Sequence, residues 1–211
     1  MNPLKLALAG LTLTALQGLA AAAVVNPVSY TFDQATSCGT WCNYHDPSFS
    51  KLTDGQVGYL GWAADQGQSW VGWVYTPVVN IDFNFGQVQA ISDVTVYTTQ
   101  DNLGDVVLPS IKVWQKVGAD WVAVGGVKIK ASAANNHDPF DRNEEALSFG
   151  LTDLDIQSQY VRVSLSRNGP WIFASEVKFE QTAAVPEAGS MAMALAGVAV
   201  SGLMVRRRRA A

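Results

Sequence analysis

The groups able to do nucleophilic or metal chemistry are few. Only two cysteines and two histidines occur among 211 residues, and three of the four fall together in SCGTWCNYH (Ser37–His45). In an exported chain, two thiols as close as Cys38 and Cys42 pair as a disulfide across a tight loop. The alternative is a metal site built from Cys38, Cys42 and His45. Tetrahedral zinc would need one more donor, and the other histidine, His137, lies far along the chain. A Ser-His-Asp set is not suggested by so few histidines, and no Gly-x-Ser-x-Gly elbow is present. The carboxylates Asp101, Asp105, Asp138, Asp141, Glu144 and Glu145 are scattered over polar loops, as solvated surface groups are. The expectation is a protein that is not an enzyme.

The two ends of the chain carry addresses. MNPLKLALAGLTLTALQGLAAAA has one lysine, an apolar stretch from Leu6 to about Leu19, and small residues at Ala20–Ala23. This is the layout of a signal peptide over residues 1–23, cleaved near Ala23, rather than an uncleaved anchor. At the other end, residues 183–211 hold Pro186-Glu187-Ala188, an apolar run from Gly189 to Val205, and Arg206, Arg207, Arg208 and Arg209. The run is at the short limit for a transmembrane helix, and the arginines would stay cytoplasmic with the preceding domain outside.

Between these ends, Val24 to Thr182 contains nine Lys and Arg against seventeen Asp and Glu, a formal −8 compared with −4 for the whole chain. Such a surface does not attract phosphate backbones, which argues against nucleic acid, and acidic loops are compatible with calcium. The elements that must position any site are strands. SYTF (29–32), SWVGWVYT (69–76), VVNIDFNF (78–85), ISDVTVYT (91–98), IKVWQK (111–116), DWVAV (120–124) and VKIKA (127–131) read as separate strands. So do ALSFGL (146–151), QYVRVSLS (159–166) and WIFASEVKFE (171–180), with Gly, Asn, Asp and Pro between them. Val79, Ile81, Phe83 and Phe85 alternate with Asn80, Asp82 and Asn84, the signature of an antiparallel strand with one wet face. The prediction is an all-β antiparallel sandwich over 24–182. Trp70, Trp73, Trp114 and Trp121 are expected in its core, and the polar loop Ser132–Glu145 at its surface.

The order KLTDG (51–55), Trp62, VVNIDFNFG (78–86), then QYVRVSLSRNGPWIFASEVKFE (159–180), resembles the discoidin, or coagulation-factor C-type, galactose-binding-like family. The resemblance implies an eight-stranded jelly-roll sandwich. It also implies a structural calcium ion held by the Asp54 and Glu176 carboxylates and by carbonyls around Lys51, Gln56 and Ser175. Sugar-binding members use aromatic and polar loop residues, for which this chain offers Trp41, Tyr44, Arg167, Asn168 and Trp171. The C-terminal tail, for its part, resembles the PEP-CTERM sorting signal, with Ala188 where the motif has its second proline. That implies processing by an exosortase in a Gram-negative bacterium that makes exopolysaccharide. The protein would pass through an inner-membrane intermediate to the cell surface or extracellular matrix. The reading is an exported surface or biofilm-matrix protein with a carbohydrate-binding sandwich. Its rival is a non-binding structural protein anchored permanently by the C-terminal helix.

Overall fold

The structure is a computed structural model, and it describes residues 22–37, 43–64, 66–101 and 105–181. Residues 1–21 of the expected signal peptide, the Cys38–Cys42 pair, Trp41 and the whole sorting tail lie outside the described residues. Among the described residues no helix is long and apolar enough to cross a membrane.

Among the described residues nine strands carry the fold: β1 (Ser29–Phe32), β2 (Val71–Val74), β3 (Val78–Thr98), β4 (Ser110–Val117), β5 (Asp120–Val127), β6 (Leu147–Leu151), β7 (Ile156–Ser166), β8 (Trp171–Ala174) and β9 (Glu176–Gln181). The only helical turn among the described residues is a 3-10 turn at Ala133–Asn135. Strand pairing is antiparallel throughout, and β3 is its backbone. The first part of β3 runs in the order β1-β3-β7-β4-β5. Its second part pairs β6 on one edge and β9 on the other. β2 and β8 form a separate two-stranded ribbon.

The sandwich closes on residues that alternation placed inside. Val79, Ile81 and Phe83 from the first part of β3 share one core with Ile91, Val94 and Val96 from its second part, and with Val161, Val163, Leu165, Val177 and Phe179. Phe179 is edge-on to both Phe83 and Phe85, with centroids 4.8 and 5.1 Å away.

Four expectations need correction. The two strands expected at 78–85 and 91–98 are one strand. Between Asn84 and Gln89 it advances five residues while β7 advances two, so residues around Gly86 bulge outward without ending the strand. Gly86 adopts φ +74°, which a residue without Cβ tolerates. Conversely, the single strand expected at 171–180 changes partner at Ser175, whose N–H donates to the Tyr97 carbonyl (3.0 Å) between β8 and β9. Finally, Trp70 and Trp73 are fully buried, but Trp114 and Trp121 sit half-exposed on the outer face. β5 also absorbs the start of the segment expected as a separate strand at 127–131.

A buried polar network ties the KLTDG loop to β1. The Tyr30 hydroxyl donates to Asp46 and accepts the Leu52 N–H at 3.0 Å. The other Asp46 oxygen takes the Ser50 N–H and the Ser48 hydroxyl, both at 3.2 Å. Tyr30 and Asp46 are both essentially inaccessible. Burial, then the hydrogen bond to Asp46, pushes the Tyr30 hydroxyl pKa far above its ordinary value, so it stays a donor. Tyr30→Phe leaves the Asp46 carboxylate and the Leu52 amide each short of a partner. Urea unfolding should show a loss of about 1–3 kcal/mol, the cost of an unsatisfied buried polar group.

Candidate functional site

Two places on the sandwich gather chemistry. The first is the junction of the KLTDG loop with β9. Val177 N–H donates to the Leu52 carbonyl (2.8 Å), which brings the start of β9 against this loop. Glu176 is 3 % exposed, and its Oε2 accepts the Gly55 N–H at 3.3 Å. Asp54 accepts the Gln56 N–H (2.9 Å), closing the Asp-Gly turn. Burial pushes the Glu176 carboxyl up to about 7, the Gly55 N–H opposes this, and the Asp54 charge adds to it. The neighbouring Ser175 hydroxyl is buried with no partner. No lysine or arginine among the described residues is within 4 Å of either carboxylate. A buried acid, an exposed acid and a turn rich in carbonyls are the hard oxygen donors that suit calcium, so the donor set fits that ion. The Lys51 ammonium is engaged elsewhere, donating to the Gly67 carbonyl at 2.6 Å and the Asn43 carbonyl at 3.4 Å.

The second place is an aromatic cluster. Phe173 on β8 stacks nearly parallel to Trp171 (5.3 Å, 9°) and to Trp62 (5.2 Å, 15°). Tyr44 stands edge-on to all three, at 4.7 Å from Phe173, 5.5 Å from Trp62 and 6.1 Å from Trp171. Phe173 is buried beneath them, while Tyr44, Trp62 and Trp171 remain partly exposed.

Local sequence explains why these rings meet. Gly72 on β2 lies opposite Phe173 on β8. A Cβ at Gly72 would come within 2.6 Å of the Phe173 ring and 3.0 Å of the Tyr44 Cβ, so glycine is the residue that lets both approach. The Gly72 N–H donates to the Tyr44 carbonyl at 3.1 Å. Trp62 is fixed by its indole N–H, which donates to Asp101 Oδ2 at 2.7 Å. The loop expected as plain surface at 132–145 supports it from beneath: Leu60, Gly61 and Ala63 N–H groups donate to the Glu144, Asp141 and Pro139 carbonyls. Asn43, Tyr44, Ala63, Gln66 and Phe140 line an adjoining depression of about 470 Å³, and Phe140 is 70 % exposed. Burial, with the Asp101 charge second, raises the Asp105 carboxyl pKa.

Of the candidate sugar residues, Tyr44 and Trp171 are brought together. Arg167 and Asn168 lie in the turn after β7. Arg167 is exposed, but the Asn168 amide is spent on the Leu108 (2.7 Å) and Ile129 (3.1 Å) carbonyls, a structural tie between connections. Trp41 lies outside the described residues. His45 Nδ1 shares a hydrogen bond with Thr36 (2.6 Å). Trp62, Phe173 and Phe140 are additions that sequence reasoning missed as site residues, although Trp62 stood within the motif order.

A family model for the discoidin domain-containing receptor 1/2, DS-like domain, matches residues 21–181. The chain belongs to this DS-like domain family. Comparison with curated protein sequences finds no match. Among solved structures, the DS-like domain is similar to the family 32 CBM from C. perfringens NanJ in complex with galactose. The TM-score is 0.51 at 10 % identity, over 76 % of this chain and 100 % of that one. It is similar to the C-terminal domain of a chitobiase from Bacteroides fragilis (TM-score 0.52, 8 % identity, 77 % of this chain and 100 % of that one). It is also similar to a truncated AlyQ with CBM32 and alginate lyase domains (TM-score 0.50, 12 % identity), covering 78 % of this chain but only 34 % of that one. At such identities the likeness establishes the sandwich fold.

The Glu176 carboxyl sets a pH dependence whose sign follows from linkage. Between about pH 4.5 and 7 the folded DS-like domain keeps a proton that the unfolded chain has released, so stability falls as pH rises through that window. In a chelating buffer, the melting temperature should decline over this range, and Glu176→Gln should flatten the decline.

Proposed function

We propose that this DS-like domain is a non-catalytic carbohydrate-binding module of an exported bacterial surface protein. The observation that carries the reading is the preformed aromatic cluster: Trp62 and Trp171 clamp Phe173, Tyr44 closes one side, and a depression opens beside them. Partly exposed rings held rigid by their neighbours offer faces to sugar C–H groups at little ordering cost. The family 32 module with the same fold was captured with galactose, which makes a neutral hexose the natural first probe.

In this reading calcium is a structural ion, held by Asp54 and Glu176 with carbonyls around Lys51, Gln56 and Ser175. It would neutralise a buried carboxylate that otherwise favours its protonated form. It would also fix the KLTDG loop against β9. Export by the signal peptide, sorting through the PEP-CTERM tail by an exosortase, and residence in an exopolysaccharide matrix complete the proposal on sequence grounds.

Trp171→Ala should weaken glycan affinity about tenfold, equivalent to about 1.4 kcal/mol, in a domain that still folds but melts lower because the packing on Phe173 is lost. Glycan-array binding that is unchanged in a folded Trp171→Ala protein, or absent in the wild type, would leave the structural-protein reading in its place. Mass spectrometry of the mature protein should find the C-terminus cut near Pro186-Glu187. A chain still ending at Ala211 would instead indicate a permanent anchor.

A further inference from the structure

The outer face of the sheet β1-β3-β7-β4-β5 carries an arrangement that the aromatic end does not account for. Cross-strand pairing puts Lys112, Trp114 and Lys116 of β4 on the solvent side, because Ile111 and Val113 point inward. Beside them stand Tyr160 and Arg162 of β7 and Trp121 of β5. Cations and rings interleave across these strands. The Lys112 ammonium lies 4.0 Å from the Trp114 ring, and the Arg162 guanidinium 4.2 Å from the Trp121 ring. Lys116 lies 5.1 Å from the Tyr160 ring and 6.0 Å from the Trp121 ring.

The charge balance of this strip is opposite to that of the domain. Of the nine basic residues between Val24 and Thr182, three are here. The acidic groups of the face are already engaged: Asp82 takes a two-pronged bond from Arg162 (2.6 and 2.8 Å), and Asp33 accepts the Asn80 backbone and side-chain amides. Lys112 and Lys116 have no acidic partner within 4 Å among the described residues. Cation–π contact holds their ammonium groups over rings without neutralising them.

The face is also shaped. A depression of about 260 Å³ opens at one end between Lys116, Trp121, Tyr160 and Asn84. Another, of about 650 Å³, opens at the other end over Ala123, Gly125 and Gly126, bounded by Lys112, Lys128 and Ser166. Ala123 and Gly126, on the outer side of β5, leave that floor low. The Trp114–Arg162–Trp121 row lies between the two hollows.

We propose that this face binds an extended acidic polysaccharide, a chain of uronic acid residues, running across β7, β4 and β5. Lys112 and Lys116 would pair with its carboxylates, Trp121 and Trp114 would stack on its rings, and the hollows would seat the sugars on either side. Charge complementarity selects the acidic polymer over a neutral one, and ring faces select a saccharide over a bare polyanion. The site is separate from the aromatic end and does not depend on the reading given to it.

The test is isothermal titration of the full chain with polygalacturonate, with neutral galactan and inorganic polyphosphate as controls. Polygalacturonate should bind, Lys112→Gln/Lys116→Gln should weaken it at least tenfold, and rising salt should weaken the wild type more steeply than the double variant. Lys112 is exposed and Lys116 half-buried, so the variant should stay folded, with only a small fall in melting temperature from the lost cation–π contacts. Trp121→Ala should also lose affinity, and excess galactose should leave it unchanged, which separates this face from the aromatic end. Failure of polygalacturonate to bind, equal affinity in either variant, or equal binding of polyphosphate would overturn the proposal.

Discussion

One strand runs through both halves of the seven-stranded sheet, and the rest of the molecule is arranged around that constraint. β3 runs for 21 residues and pairs with β1, β7, β6 and β9. Its alternation therefore has to place side chains in a common core on both sides of the bulge near Gly86. Val79, Ile81 and Phe83 do so before it, and Ile91, Val94 and Val96 after it. The far end of β3 then dictates where the aromatic end forms. Tyr97 and Thr98 receive the β8–β9 junction, through Ser175 N–H to the Tyr97 carbonyl and the Thr98 hydroxyl to the Phe173 carbonyl (2.7 Å).

That junction lies between the two candidate sites. Trp171 and Phe173 precede Ser175 in β8, and Glu176 follows it in β9. A single change of strand partner thus sends aromatic rings toward Tyr44 and Trp62, and a carboxylate toward Gly55. An ion bound at Asp54 and Glu176 would stiffen β9 one residue from the strand that presents the platform.

Much of this was legible in the sequence, and the failures have physical reasons. The alternation of 78–85 and 159–166 reveals one-sided strands, because a pleat with one wet face admits little else. Glu176 and Asp54 were reachable through the family motif, and the fold does bring them to one loop. The aromatic cluster was only half visible. Trp62 comes from a loop and Phe173 from a strand more than a hundred residues later, and no local period links them. Trp114 was misplaced by residue type, since a tryptophan in a strand suggests a core. Strand parity carried the better signal: with Ile111 and Val113 inside, Lys112, Trp114 and Lys116 must share the outside. The break at Ser175 carries no turn signal, since Ala174-Ser175-Glu176 holds no glycine, proline or asparagine and only the partner strands change.

The central claim is that the aromatic end is a rigid, ready-made sugar site rather than ordinary hydrophobic packing. Nitrogen-15 NMR of the tryptophan indoles tests it most directly, because the seven side-chain signals report from different parts of the fold. On titration with galactose, the Trp62 and Trp171 indole signals should move together and saturate, while that of Trp73, buried in the main core, stays in place. Signals of Trp62 and Trp171 that remain fixed at saturating sugar, or shifts confined to other tryptophans, would contradict the account.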